Sequence, residues 1–176
     1  HRYAQLFARK MERKGYTPQE AEDKMYERNY FGMMMVETGE ADAFITGLYT
    51  KYSNTIKVAN EVIGIRPGYK HFGTMHLINT KKGILFVADT LINRHPDEDT
   101  LYDIARLSAS TVRFFNRTPT IAMLSYSNFG TDTEGSAERV QHVIERMHRE
   151  YPDLAIDGEM QLNFAMDKEL RDEKYP

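Results

Sequence analysis

The chain contains no cysteine, which excludes disulfides, thiolate metal sites and a cysteine nucleophile. No apolar run approaches the roughly 20 residues of a membrane-spanning helix, and no signal-peptide pattern opens the chain. The net charge of −3 supplies no global positive field to recruit nucleic acid or an anionic membrane. An anionic ligand would therefore need a local basic site, and the cytoplasm is the default compartment. The familiar catalytic signatures are also missing. There is no phosphate-cradling Gly-x-x-x-x-Gly-Lys-Ser/Thr and no Gly-x-Gly-x-x-Gly after a strand. Gly-x-Ser-x-Gly and His-Glu-x-x-His are absent too, and the six histidines show no helical ligand spacing.

What remains is an ordinary globular profile. The 176 residues are 41% hydrophobic and 28% charged, enough for one domain or two small lobes with a buried core. The chain opens at His1 already in a helix-like pattern and stops at Tyr175-Pro176 after a charged helical stretch. It reads as a piece of a longer protein.

Helix formers run from His1 to Lys14, and Gly15 follows as a stop. Thr17-Pro-Gln-Glu20 is a capping box with proline at the first helical position, and its helix is expected to run towards Arg28. Tyr30 to Glu37 reads as another helix, in which Met33, Met34 and Met35 fill core gaps. Ala41 to Thr46 reads as a buried strand. Ser53 or Asn54 is expected to cap a helix whose apolar stripe is Ile56, Ala59 and Ile63, with Lys57 in its first turn. There an ammonium and free N–H groups could hold an anion together.

Gly64 to Gly68 is loop chemistry and a candidate hinge. His71 to Asn79 and Ile84 to Thr90 read as strands of a tight hairpin through Thr80-Lys-Lys-Gly83, necessarily antiparallel. His95 with Asp97, Glu98 and Asp99 raises the thought of a metal site, but capping a helix that runs to about Phe115 explains the acids more simply. Thr120 to Leu124 is a short apolar strand that opens into Ser125-Tyr-Ser-Asn-Phe-Gly130 and Thr131 to Gly135. Val140, Ile144, Met147 and Tyr151 then keep helical spacing, and Leu154 to Ile156 forms a strand leaving at Asp157-Gly-Glu-Met-Gln161. Strands alternating with helices imply an α/β layered fold with a mixed sheet. Ligands of such sheets bind outside the carboxyl ends of the strands. Three polar strand ends qualify: Asp89 to Asn93, Ser125 to Gly130, and Asp157 to Gln161.

Met123-Leu-Ser-Tyr-Ser127 with its glycine loop, followed one helix later by Asp157-Gly-Glu-Met-Gln161, resembles the phosphate acetyl/butyryltransferase family. Phe31 to Ala43 and Val87-Ala-Asp-Thr-Leu-Ile-Asn93 with Pro96 extend the match over nearly the whole chain. Arg2-Tyr-Ala, Arg13-Lys-Gly-Tyr-Thr17 and Tyr30 to Glu37 resemble, more narrowly, the phosphotransacetylase-like C-terminal regions of bacterial hybrid NADP-dependent malic enzymes.

The resemblance implies a three-layer α/β/α fold with a mixed, mostly parallel sheet, the isocitrate/isopropylmalate dehydrogenase-like lobe of phosphotransacetylases. It implies residues 1–64 partly in a first lobe, residues 65–176 in a second, and an acyl-CoA or acyl phosphate cleft between them. Ligand contacts would come from Lys57, Thr55, Ser125, Ser127, Asn128, Gly130, Thr131, Asp157, Glu159 and Gln161. No catalytic or metal-binding residue is expected. Where the family carries Thr-Leu-Arg, this chain reads Thr55-Ile-Lys57, which keeps the charge but loses the bidentate fork. Thr90 stands where the family often has cysteine, and the family's later Asn-Asp-Leu-Ser-Arg motif would lie past Pro176. The resemblance thus implies a regulatory and homo-oligomerising module responding to acetyl-CoA, with NADP and a divalent metal in an upstream domain. An active acyltransferase using acetyl phosphate and CoA, and a purely structural dimerisation module, are the alternatives.

Overall fold

The computed structural model describes residues 1–81, 83–132 and 134–175. The chain is α/β, and it divides into two compact units, His1–Pro67 and Gly68–Pro176.

The first unit is helical: α1 (Arg2–Met11), α2 (Pro18–Lys24), α3 (Arg28–Glu37) and α4 (Tyr52–Val62). A single 3-10 turn, Glu12–Lys14, carries α1 to Gly15. The Thr17–Glu20 capping box forms in full, with Glu20 N donating to Thr17 Oγ1 at 3.2 Å and Thr17 N donating to Glu20 Oε2 at 2.8 Å. The expected continuation of α2 to Arg28 does not occur. Met25, Tyr26 and Glu27 donate three residues back, to Glu22, Asp23 and Lys24, and this tightening turns the chain into α3. The core joins Phe7, Met11, Ala21, Tyr30, Met33, Met34, Val58 and Val62, so two of the three consecutive methionines fill space as expected.

Two further expectations fail in this unit. Ala41 to Thr46 is not a strand; it is irregular, and among the described residues no strand pairs with it. Phe44 turns inward, its ring lying where a Cβ on Gly32 would sit 2.3 Å away, and Thr46 donates its hydroxyl to the buried Asn29 Oδ1 at 2.7 Å, while Ile45 is 96% exposed. Helix α4 is rotated from its expected phase. Its buried stripe is Val58 and Val62, Ile63 is half-exposed, and its N-cap is Lys51 with no side-chain cap, so Ser53 and Asn54 lie inside the helix.

The second unit holds β1 (Met75–Thr80), β2 (Gly83–Ala88), α5 (Glu98–Phe114), β3 (Thr120–Leu124), α6 (Gly135–Glu150), β4 (Ala155–Met160), α7 (Leu162–Met166) and α8 (Lys168–Lys174). Strands β1 and β2 form the expected antiparallel hairpin, Met75 opposite Ala88 and Thr80 opposite Gly83; Lys82 in its turn lies outside the described residues. Strands β3 and β4 pair in parallel, Thr120 opposite Ala155, as a strand–helix–strand crossover through α6 requires. Both pairings of a mixed sheet are thus present. Over the described residues they are separate two-stranded sheets, not one ladder.

Helices α5 and α6 cover the parallel pair. Tyr102, Ala105 and Ala109 meet Val140, Val143, Ile144 and Met147 over Met123 and Ile156. Asp97 caps α5, accepting from Thr100 N at 2.8 Å. The register of β3 on β4 shifts after Met123, so that Leu124 faces Met160. This displacement brings Gly158 so close to β3 that a Cβ there would sit 2.4 Å from the Met123 carbonyl oxygen.

Candidate functional site

The carboxyl end of β3 is where the second unit gathers its polar groups. Ser127 follows the strand and is buried. Its hydroxyl donates to Glu159 Oε1 at 3.2 Å, the Gly130 amide donates to the same oxygen at 2.9 Å, and Gln141 of α6 donates to Glu159 Oε2 at 3.0 Å. Glu159 has no exposed surface. Burial opposes its charge, but the bonds from Gly130, Gln141 and Ser127 outweigh that and hold its carboxyl below the ordinary range. Its backbone oxygen also accepts from Phe129 N at 2.8 Å.

The rest of the loop closes on itself in the same way. Asn128 Oδ1 accepts from Gln161 N at 2.8 Å, and Gln161 Nε2 donates to the Tyr126 carbonyl at 2.6 Å. Thr131 Oγ1 accepts from Asn128 N at 3.1 Å. Tyr126 donates its hydroxyl to Asp132 at 2.5 Å. Continuation of the loop through Thr133 lies outside the described residues.

Seven of the ten expected ligand residues are therefore brought together: Ser125, Ser127, Asn128, Gly130, Thr131, Glu159 and Gln161. Most of their hydrogen-bonding capacity is turned inward, onto one another. Asp157 and Glu159 are also not past a strand end, as expected, but within β4, with Asp157 exposed opposite Ala122. Thr55 and Lys57 belong to the first unit. Thr55 sits by Thr50 (Oγ1 to Oγ1, 3.3 Å) beside a cavity of about 570 Å³ whose wall includes Phe44, Thr46 and Leu48. Lys57 is not in the first turn of α4 but six residues past its N-cap, where it lies 3.9 Å from Glu61. It has no helix N-terminus to share with an anion.

Ser125 behaves differently from the rest of the loop. Its backbone N–H donates to Met160 O at 3.0 Å, but its hydroxyl oxygen is buried with no hydrogen-bond partner among the described residues. It lines a cavity of about 280 Å³ together with Arg94, His95, Ser136 and Arg139. Apolar walls come from Leu101, Leu124 and Val140, and among the described residues no carboxylate lines it. Arg139 Nε is buried and unpartnered as well. Because Ser125 Oγ has no partner, it is not hydrogen-bonded to His95, and the cavity contains no assembled serine–histidine pair. What it offers is cationic and hydroxyl donors, the equipment for holding an anion.

Sequence reasoning missed Arg94, Ser136 and Arg139. The signal available was positional: Arg94 directly follows the polar strand end Asp89 to Asn93, and Ser136 and Arg139 are one turn apart at the start of α6. That strand end itself is structural. Asp89 accepts from Asn93 N and Asn93 Nδ2, each at 2.7 Å, from Thr74 N at 3.0 Å and from the Thr74 hydroxyl. Burial pushes against its charge, yet these donors bring its pKa down to about 2.

Comparison with known proteins gives a consistent set of relatives. The sequence profile described as phosphate acetyl/butaryl transferase matches residues 1–176. The NADP-dependent malic enzyme of Salmonella typhimurium is 37% identical over 167 residues, covering 94% of this chain and 22% of that protein. A phosphate acetyltransferase of Synechocystis is 30% identical over 175 residues, covering 99% and 25%. Among solved structures, a phosphotransacetylase from Streptococcus pyogenes superposes with a TM-score of 0.84 at 31% identity, over 99% of this chain and 54% of that one. The chain spans about a quarter or less of the length of these two curated relatives.

Proposed function

Since this chain belongs to the phosphate acetyl/butaryl transferase family, we propose that it serves as a ligand-sensing and assembly module of an NADP-dependent malic enzyme. The parent chain would oxidise and decarboxylate malate to pyruvate, with NADP and a divalent metal bound in an upstream domain. This module would bind acetyl-CoA and bias the activity of that domain. The same domain type occurs in malic enzymes and in phosphate acetyltransferases, so the choice rests on the site.

One observation supports binding over catalysis. Among the described residues the polar loop after β3 spends most of its donors and acceptors on its own shape, and its one buried unpartnered hydroxyl, Ser125 Oγ, has no base bonded to it. Nucleophilic attack needs such a base within hydrogen-bond reach, whereas anion binding needs only oriented donors. Ser127 does donate to a carboxylate, Glu159, but the bonds that Glu159 also receives from Gly130 and Gln141 hold it below the ordinary carboxylate range, which makes it a weak base.

Regulation of this kind requires acetyl-CoA to bind two activity states with different affinity. The test is to titrate acetyl-CoA into the full-length protein while following malate-dependent NADPH formation, with binding measured in parallel by calorimetry. A saturable change in rate over the range in which binding saturates is expected. A flat rate at saturating acetyl-CoA would sink the regulatory reading. Acyl-CoA formation from acetyl phosphate and CoA by the same protein would replace it with the acyltransferase one.

A further inference from the structure

We infer that α7 and α8 form a strap over the loop after β3, latched by Tyr175 on Phe129, and that releasing the latch lets the loop leave Glu159. The two helices hold themselves together. Asp167 caps α8, accepting from Leu170 N at 3.1 Å, and Arg171 donates back to the carbonyls of Phe164 and Ala165 in α7. Among the described residues neither helix holds a buried residue, and Leu162 and Met166 are 61% and 48% exposed.

Two fastenings tie this pair to the loop. At its root, Gln161 N donates to Asn128 Oδ1 and Gln161 Nε2 donates to the Tyr126 carbonyl. At its far end the Tyr175 ring meets Phe129 edge to face, with centroids 4.8 Å apart, and Phe164 of α7 braces Tyr175 at 5.8 Å. Between these points α7 lies against β3. Segments with few buried contacts open at the lowest free energy in a domain. The strap therefore opens before the frame built on Glu159, which has no exposed surface.

What the latch holds is a strained residue. Phe129 has a φ of +44°, in the left-handed region that a bulky side chain rarely occupies. Such a residue persists where its surroundings over-determine it. Here they do so twice: the Phe129 amide donates to Glu159 O at 2.8 Å, and the ring packs on Tyr175. Gly130 follows directly, and its amide donates to Glu159 Oε1 at 2.9 Å. Turning φ at Phe129 to an ordinary negative value swings that N–H away from the carboxylate. Strap, ring, backbone angle and Glu159 thus form one chain of contacts, and the loop comes under the control of whatever displaces α7 and α8. The coupling is independent of which ligand the loop meets.

The experiment follows hydrogen exchange by mass spectrometry in the full-length protein, comparing native with Tyr175→Ala, Tyr175→Phe, Phe129→Ala and Phe129→Gly. Phe114→Ala is the matched control, because it removes the edge-to-face partner of Phe115 at the end of α5. Tyr175→Ala is expected to speed exchange in residues 125–131 and 162–175 by about two- to tenfold, the worth of one aromatic pair. Other segments and the thermal midpoint stay native. Tyr175→Phe keeps the ring and the native rates, and Phe114→Ala leaves both segments alone. Phe129→Ala loses the ring but keeps a Cβ at positive φ, whereas glycine adopts that angle freely. Residues 125–131 should therefore exchange faster in Phe129→Ala than in Phe129→Gly. Faster exchange in 162–175 of Tyr175→Ala, with 125–131 unchanged, would mean that the strap does not latch the loop and would overturn the inference. Exchange that rises across the whole unit with a falling midpoint would overturn it too, since a purely structural Tyr175 behaves in that way. A glycine variant faster than the alanine variant breaks the link from Phe129 to Gly130 and has the same consequence.

Discussion

Replacing Glu159 with glutamine tests whether this carboxylate organises the loop after β3. The side chain keeps its shape but gains two donors and loses its charge. In the native protein all three hydrogen bonds at the carboxylate are received: from Gly130 N at 2.9 Å, Ser127 Oγ at 3.2 Å and Gln141 Nε2 at 3.0 Å. An amide can receive only on its oxygen. If its NH₂ faced Gly130, two N–H groups would oppose each other, and a backbone amide cannot turn away. The oxygen must therefore keep Gly130, and the NH₂ faces Gln141. Gln141 can answer by flipping its own amide, but it then gives up its 3.2 Å bond to the Asp132 carbonyl. Three charge-assisted bonds become neutral and a fourth bond is lost, a cost of about 2–4 kcal/mol at a site with no solvent access.

For a chain of this length that corresponds to roughly 5–15 °C in the thermal midpoint. Hydrogen exchange across residues 125–131 should accelerate, with Gly130 the most affected amide. The pH dependence supplies an independent reading. Glu159 is held below the ordinary carboxylate pKa, so its stabilisation is present in full above the unfolded value of about 4.3 and is lost as pH falls through the lower folded one. The gap between the native protein and Glu159→Gln should be constant from pH 8 to 5 and close in more acid solution. A midpoint within 1 °C of native, with unchanged exchange at residues 125–131, would refute the organising role.

Other outcomes follow from the same structure. Gly158→Ala should be far more damaging than Gly32→Ala, although both add one methyl group. At Gly158 the new atom meets the backbone oxygen of Met123 at 2.4 Å, at a φ of +141° that disfavours any side chain, for an expected loss on the order of 3–5 kcal/mol. At Gly32 it meets the ring of Phe44, a side chain that can rotate into the loop, and alanine recovers about 1 kcal/mol of helix propensity; urea unfolding should show a net loss of about 1–2 kcal/mol. Equal losses would count against the close approach of β4 to β3. Asp89→Asn should cost on the order of 2 kcal/mol at neutral pH, from the fall of its pKa to about 2. That difference should be full above about pH 4 and vanish as pH drops through 2, because the group is a depressed acid; a gap that persists at pH 2 excludes Asp89 as its source.

Much of this was legible in the residues, and the failures have physical causes. The capping box at Thr17, the Asp97 cap of α5, the hairpin and the β3 strand all follow from local chemistry, and local chemistry determines them. The helix α4 was found but mis-phased by about one residue, because Ile56, Ala59 and Ile63 satisfy helical spacing as well as Val58 and Val62 do. Only the packing partners Phe7, Met11 and Tyr30 decide between the two stripes. The segment Ala41 to Thr46 has strand composition but no neighbour to pair with among the described residues, and β-propensity without a partner edge does not make a strand. The site residues after β3 were gathered correctly as a group, yet their hydrogen bonds point inward. Composition marks polar groups; it does not show which of them find each other first. Arg94 and Arg139 were invisible for the complementary reason, since nothing in a sequence distinguishes an arginine that meets an acid from one that does not.

That distinction bears on how one skeleton can serve both malic enzymes and phosphate acetyltransferases. The loop from Ser125 to Thr131 and the strand that carries Glu159 form a self-satisfied frame, and its hydrogen bonds would be kept whatever the neighbouring cavity did. Chemistry is then decided by the few donors the frame leaves over. Among the described residues lining this cavity they are the Ser125 hydroxyl and Arg139, with Arg94 beside them, and none of the three is a base at neutral pH. A site so equipped can stabilise an anion that arrives but has little means of generating a nucleophile. Conversion towards transfer would need a base delivered to Ser125, and His95 is the one lining side chain with the right chemistry for it. If the sensing reading is correct, substituting His95 by glutamine should leave acetyl-CoA-dependent control of malate oxidation within about threefold of native. If the protein transfers acyl groups through Ser125, the same substitution should abolish acyl-CoA formation, and the two assays on one variant separate the readings.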